Sequence, residues 1–163
     1  MLYSEDVYVG YRYYDKVGQQ PLFRFGHGLS YTSFLVSDLT VTQSPEGKDI
    51  KEESIEARMS VENVGSRAGA EVVQLYVVPP DTASVGRPVK ELKGFEKVML
   101  HPGEKKTVSV TVPKALATSF WDEARDAWLS EEGTYGIEIV GTGPQNTLSA
   151  AIKVEKPRFW KGL

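Results

Sequence analysis

Apolar and polar residues alternate along most of this chain. In "SIEARMSVE", Ile55, Ala57, Met59 and Val61 share one parity, and Glu56, Arg58, Ser60 and Glu62 the other. Successive side chains leave a strand on opposite faces, so a period of two predicts a half-buried strand with Met59 inside. Leu35 to Thr42 also alternates, with Leu35, Leu39 and Val41 expected on one side and Asp38 and Thr40 on the other. "AEVVQLYVV" (Ala70 to Val78) is apolar on both parities, as a central strand would be. "TVSVTV" (Thr107 to Val112), "TYGIEIV" (Thr134 to Val140) and "LSAAIKVE" (Leu148 to Glu155) complete the series. Turn signals punctuate it: "PEGKD", "NVGSRAG", "HPGEKK", "EEGT" and "GTGPQN". Short strands with regular turns predict an all-β sandwich of two antiparallel sheets. The only helical turn expected lies around "PKALATS".

Three segments break the plain alternation. "SFWDEARDAWLSE" reads as two strand ends joined by an acidic hairpin loop, Asp122 to Asp126, with Trp121 and Trp128 packed across the pair. In "RPVKELKGFEKV", Val89, Leu92, Phe95 and Val98 are expected to turn inward, while Lys90, Glu91, Lys93 and Glu96 stay in water. Gly94 there marks a bulge or a close backbone approach. Arg87, just before Pro88, can fork to a carboxylate or to carbonyls. The loop that carries it, "TASVGRP", either reaches outward to a partner or is stitched to its own sandwich. The third segment, "EDVYVGYRYYDKVGQQPLFRFGHGLSYTSF" (Glu5 to Phe34), has no regular period but many rings. Five of the eight tyrosines (Tyr3, Tyr8, Tyr11, Tyr13 and Tyr14) fall within the first fourteen residues. Such rings either cover their own sandwich or belong against a surface elsewhere.

Composition narrows the function classes. With 163 residues, 40% hydrophobic and 25% charged, the chain is ordinary globular material for one domain. A net charge of -3 gives no electrostatic case for nucleic acid or an anionic membrane as partner. There is no cysteine and no N-x-[ST] sequon, which leans toward a reducing, cytoplasmic setting. Neither a signal-like apolar run nor a transmembrane span occurs.

Candidate chemistry is sparse. Asp38 lies in "VSDL" on the polar side of the first strand. Asp122, Glu123 and Asp126 lack the spacing and glycine of a calcium loop and read as a solvated hairpin tip. Glu5, Asp6 and Asp15 flank the aromatic segment, where Arg12 could pair with them. His27 and His101 are far apart, with no cysteine to complete a metal set. "GHGLS" is not the G-x-S-x-G nucleophile elbow, and "GTGPQN" has no helix to cradle a phosphate. "KPRFWKGL" reads as a tail that tucks Phe159 and Trp160 onto a surface. No catalytic residue, cofactor or metal site is expected.

The order "GYRYYDK…PLFRFGHGLSYTSF", "NVGSRAGAEVVQLYV", "RPVKELKGFEKVMLHPGEKKTV" and terminal "WKGL" resembles the C-terminal end of glycoside hydrolase family 3 enzymes, most closely β-glucosidases. It departs from the family at Arg24, where proline is common, and at His27, where an aromatic is common. The resemblance implies an immunoglobulin-like (fibronectin type III-like) β-sandwich over residues 35–156. Residues 1–34 would be the strap that connects it to an α/β domain, and 157–163 a C-terminal tail, with Met1 placed just ahead of the strap like a chosen start. The parent would hydrolyse terminal β-glucosides with retention, its nucleophile and acid/base lying in upstream domains. This chain would supply stability and docking, with Tyr11, Arg12, Tyr13, Tyr14, Phe23, Phe25, His27 and Arg87 as candidate docking residues. The expected partners are the parent's catalytic domains, with another subunit or carbohydrate as further possibilities. The alternative is a free adhesion module that binds polysaccharide, lignin or a protein through exposed rings. A flat row of coplanar rings would favour adhesion, and a bumpy, partly apolar patch would favour docking.

Overall fold

The structure is a computed structural model describing residues 4–28, 30–143 and 146–162. Tyr3, Leu29 of "GHGLS" and residues 144–145 of "GTGPQN" lie outside the described residues. The strap, expected to be irregular, contains a short helix, α1 (Tyr11–Lys16). Gly10 opens it at φ 61, a conformation that costs glycine little, and no side chain caps the helix. Contacts with the sandwich, rather than local sequence preference, therefore hold this turn.

Two antiparallel sheets enclose the main core, as the alternation predicts. In one, β2 (Ser54–Asn63) lies between β1 (Phe34–Gln43) and β5 (Lys105–Pro113). In the other, the order is β4 (Glu91–Leu100), β3 (Gly69–Val78), β8 (Gly133–Val140) and β9 (Thr147–Val154). Ile55, Ala57, Met59 and Val61 of β2 are all buried, facing Val73, Leu75 and Val77 of β3 and Tyr135, Ile137 and Ile139 of β8. Directly after β5, helix α2 (Lys114–Thr118) forms where "PKALATS" predicts it. A one-turn helix at Ile50–Glu52 has no signal in the hydrophobic pattern.

A third, small sheet joins β6 (Ser119–Asp122), β7 (Ala127–Ser130) and β10 (Arg158–Trp160). Trp121 and Trp128 meet edge to face at 5.6 Å, and Trp128 stacks on Trp160 at 5.5 Å and 15°. The tail is thus a strand of this sheet rather than a segment laid on its surface. A buried charge fixes it as well. Glu53, 2% exposed, binds Arg158 and pairs with the buried Lys114 at 3.1 Å. Burial pushes the Glu53 carboxyl up, but the Gly47 N–H, Arg158 and Lys114 together hold it below the usual carboxylate range.

Two strands depart from simple alternation, each for a geometric reason. In β1 the register with β2 shifts between Ser37 and Thr40, and Asp38 takes φ 59. This bulge inverts the parity, so Phe34 and Val36 point inward before it while Leu39 and Val41 pack on the core after it. Leu35, expected inside, is 45% exposed. In β4 the register with β3 shifts at Lys93, as the bulge expected near Gly94 requires. A Cβ at Gly94 would lie 2.7 Å from Val112 Cγ1, so the sheets approach too closely there for any side chain. Phe95 is consequently 67% exposed; Val89, which precedes β4, is 50% exposed, and both were expected inside. Glu91 and Lys93, expected in water, have side chains only 16% and 18% exposed.

Buried polar groups close the ends of the sandwich. Asn63 donates through Nδ2 to the Arg67 and Leu100 carbonyls, and its Oδ1 accepts from Thr32 Oγ1 and the Gly65 N–H. Glu71, fully buried in β3, accepts from the Thr142 N–H at 2.6 Å and from the Thr142 hydroxyl. Asn146 ties the same loop to β1 through Val36 N–H and Phe34 C=O.

Met59 is 1% exposed, whereas the Arg58 side chain is 62% exposed and pairs only with Glu56. Met59→Asp is expected to cost at least about 3 kcal/mol, since it places a carboxylate in the core without partners. Arg58→Asp should change stability by less than about 1 kcal/mol. Urea unfolding of the two variants measures both; equal losses would show that the register of β2 is wrong.

Candidate docking surface on the strap

The inner side of α1 is committed to the sandwich. Tyr11 meets Tyr76 edge to face at 5.6 Å, and its hydroxyl accepts the Leu92 N–H at 2.9 Å. Arg12 Nη2 donates to Glu91 Oε1 at 2.9 Å. The acidic neighbours Glu5, Asp6 and Asp15, considered as its partners from sequence, do not take it. Glu91 instead gathers three cations, with Lys93 at 3.3 Å and Arg87 at 3.4 Å besides Arg12. Burial pushes the Glu91 carboxyl up, but Lys93, Arg12 and Arg87 outweigh it and hold it below the usual carboxylate range. Burial likewise lowers the Lys93 ammonium, which Glu91 only partly offsets.

Arg87 is stitched inward. Its side chain is 5% exposed, Nη1 donates to the Thr118 carbonyl at 3.0 Å, and the guanidinium lies 5.5 Å from the Phe120 ring. Of the two readings of the "TASVGRP" loop, the geometry matches the stitched one at this residue. Glu91 is the residue that sequence reasoning missed. The signal was present, because Arg87, Lys90 and Lys93 surround it within four positions either way.

The strap also explains why β3 is apolar on both parities. Gln74 and Tyr76 point away from the sandwich core, yet they are only 2% and 5% exposed because the strap lies over them. The Tyr76 hydroxyl donates to Gln74 Oε1 at 2.6 Å. Burial, aided by Tyr11, Asp15 and Glu138, pushes the Tyr76 phenol up to about 12.

The outer side of the strap is different. Tyr13, Tyr14, Phe23 and Phe25 are 51%, 38%, 67% and 72% exposed, joined by Leu22 at 92% and Tyr31 at 95%. His27 is exposed beside Phe23, with ring centres 5.2 Å apart. These rings form no flat row: Tyr13 and Tyr14 are inclined at 78°, and Phe23 and His27 at 36°. The candidate docking residues thus divide by direction. Tyr11, Arg12 and Arg87 anchor, while Tyr13, Tyr14, Phe23, Phe25 and His27 face out.

Two other carboxylates considered from sequence have partners within the sandwich. Asp38 pairs with Lys105 at 3.1 Å, and Asp122 accepts from the Ala124 and Arg125 amides and pairs with Arg125 at 2.7 Å. His101 donates its N–H to Glu104. Among the described residues, no group of three or more histidines and carboxylates is placed to hold a metal ion. No helix among them is long and apolar enough to cross a membrane.

The fibronectin type III-like domain family matches residues 71–142. A probable β-glucosidase J of Neosartorya fischeri is 61% identical over the whole of this chain, which corresponds to 19% of that protein. Among solved structures, a β-glucosidase from Kluyveromyces marxianus in complex with glucose superposes with a TM-score of 0.83 at 44% identity, over 99% of this chain and 18% of that one. The family 3 β-glucosidase of Bifidobacterium adolescentis gives a TM-score of 0.80 at 33% identity, over 93% of this chain and 21% of that one. The chain thus spans about a fifth of the length of the relatives it matches. It is similar, from end to end, to the portion of family 3 β-glucosidases that carries a fibronectin type III-like domain.

Glu91→Gln keeps the shape of the latch but leaves three cations uncompensated. Amide exchange in Tyr11–Lys16 is expected to accelerate at least about tenfold, while β2 stays protected. The same release is expected in the unaltered chain on acidification. A carboxyl held below its ordinary value contributes fully above about pH 4.3 and is lost as pH falls through the lower folded value. Unchanged exchange in Glu91→Gln would show that the latch does not hold the strap.

Proposed function

We propose that this chain, a fibronectin type III-like sandwich with its strap, is the non-catalytic accessory domain of a family 3 β-glucosidase, and that it docks on the parent's catalytic domains through the strap. Residues 1–34 are the connecting strap, 35–156 the sandwich and 157–163 the tail. The parent hydrolyses terminal β-glucosides with retention, through a covalent glycosyl-enzyme intermediate, and its two catalytic carboxylates lie outside this chain. The observation that carries the reading is the division of the strap. One side is pinned by Tyr11 and Arg12, and the other exposes Tyr13, Tyr14, Phe23 and Phe25.

Exposed ring clusters of this kind mark an interface. The inclined rings supply knobs for a bumpy apolar partner, whereas adhesion to a polysaccharide surface calls for a level platform. Similarity to one portion of longer β-glucosidases supplies the partner, the catalytic domains.

Hydroxyl-radical labelling tests the docking. Tyr13, Tyr14, Phe23 and Phe25 should label several-fold faster in this chain alone than in the longer natural polypeptide, while Tyr11 and Tyr76 should change little. Equal labelling of the outer rings in both contexts would overturn the docking reading. The chain alone should also leave an aryl β-glucoside uncleaved. Turnover abolished by a point change within these residues would sink the non-catalytic assignment.

A further inference from the structure

Glu53 joins three separate stretches of chain at one buried carboxylate. Its Oε1 accepts the Gly47 N–H at 2.9 Å and binds the Arg158 guanidinium. Its Oε2 pairs with the Lys114 ammonium of α2 at 3.1 Å. Arg158 donates as well to the Gly47 and Lys48 carbonyls, so β10 is tied to the loop and to Glu53 together. Among the other charged groups nearby, Glu46 in the loop lies 3.6 Å from Lys114. On the one-turn helix Asp49 pairs with Lys51 at 3.8 Å, and Glu52 is exposed.

What this carboxylate holds is otherwise lightly attached. β10 is an edge strand of three residues, paired with β7 from Arg158–Ser130 to Trp160–Trp128. Three exposed residues, Glu155, Lys156 and Pro157, link it to β9. Its one deep side chain, Trp160, sits with Ile50 and Ala115 against Trp128, in a cluster that shares no residue with the main core. The Trp160 indole N–H donates to Ser119 Oγ at 2.9 Å. A short edge strand over a small separate cluster opens at lower cost than strands of the main core.

We propose that Glu53 is an acid-operated latch on the C-terminal strand, whose protonation frees β10 and Trp160 while the sandwich stays folded. Protonation would strand the side chains of Lys114 and Arg158, which are only 3% and 12% exposed. Opening of β10 returns Arg158 to water and relieves that cost. Burial pushes the Glu53 carboxyl up, but the Gly47 N–H, Arg158 and Lys114 hold it below the usual carboxylate range. Its contribution is therefore complete above about pH 4.3 and lost as pH falls through the lower folded value. On release Trp128 loses the ring stacked on it. The groove that Trp160 and Trp128 wall with Phe120 and Trp121, beside the Arg87 loop, then loses one side.

The test is an acid titration of the isotope-labelled chain from about pH 7 to about pH 2, followed by amide and indole NMR. Below about pH 4.3 the Trp160 indole N–H is expected to move to the position of a solvated indole, while β2 amides keep their native shifts through that step. Glu53→Gln should speed exchange of the Trp160 indole N–H at least about tenfold at neutral pH and abolish the acid step. Glu91→Gln, which acts at the strap, should leave the acid step at Trp160 in place. Loss of Trp160 and β2 signals together, in the unaltered chain or in Glu53→Gln, overturns the proposal, because the tail would then belong to the sandwich's own cooperative unit. So does a Trp160 signal that never responds to acid, or an acid step that persists in Glu53→Gln or disappears in Glu91→Gln.

Discussion

A carboxylate taken out of water must be met by charge or by donors, and that constraint positions each irregular segment on this sandwich. Glu91 holds the strap and the Arg87 loop, Glu53 holds the tail, and Glu71 holds the loop that follows β8. Glu53 is the deepest of the ion-paired set, with its own side chain and that of Lys114 at 2% and 3% exposure. Removing one partner from so buried a pair costs roughly 3–5 kcal/mol, because the other charge is stranded. Glu71 uses no cation at all, only the amide and hydroxyl of Thr142. Loops without a repeating hydrogen-bond pattern thereby acquire fixed positions.

The strap carries two separate duties on its two sides. Beneath it, Gln74 and Tyr76 would otherwise present an amide and a ring to water from the outer face of β3, and α1 removes them from solvent. This use satisfies only Tyr11 and Arg12. Tyr13, Phe23 and Phe25 keep half or more of their surface in water, and exposed rings in such density are unfavourable unless another surface covers them. Under the proposed docking, a strap pinned on one side and unsatisfied on the other would act as a preformed adaptor, which lowers the ordering cost when a partner arrives.

The regular strands were legible in the sequence because their cause is local. Met59 and its alternating neighbours report the core face of β2 without knowledge of any other strand. Leu35 and Phe95 misled for a shared reason: a bulge inverts parity, and its causes lie across the chain. Asp38 is paired with Lys105, and Gly94 faces Val110 and Val112. Periodicity carries no trace of such distant partners. The third sheet was half visible, since the Trp121–Trp128 hairpin is local while its pairing with Trp160 spans more than thirty residues. Within the docking surface, composition alone located the rings, but the direction each one faces depends on Glu91 and Tyr76, both outside the strap.

The relative strength of the anchors sets how the strap behaves. Arg12 and Glu91 retain side-chain exposures of 32% and 16%, so water screens part of their attraction, and an isolated pair of this kind contributes modestly. What raises it is convergence, because Lys93 and Arg87 draw on the same carboxylate and the Tyr11 hydroxyl engages the next residue's amide. These contacts act on one turn of helix and the adjoining strand, so they lock or release together. Among the described residues, the segment from Gln19 to His27 has no comparable charged anchor, and its side chains at Leu22, Phe23 and Phe25 are largely exposed. Order in the strap therefore falls with distance from α1, and the unsatisfied rings lie mainly where the chain is held least. Docking of those rings would restrain the free end of the strap.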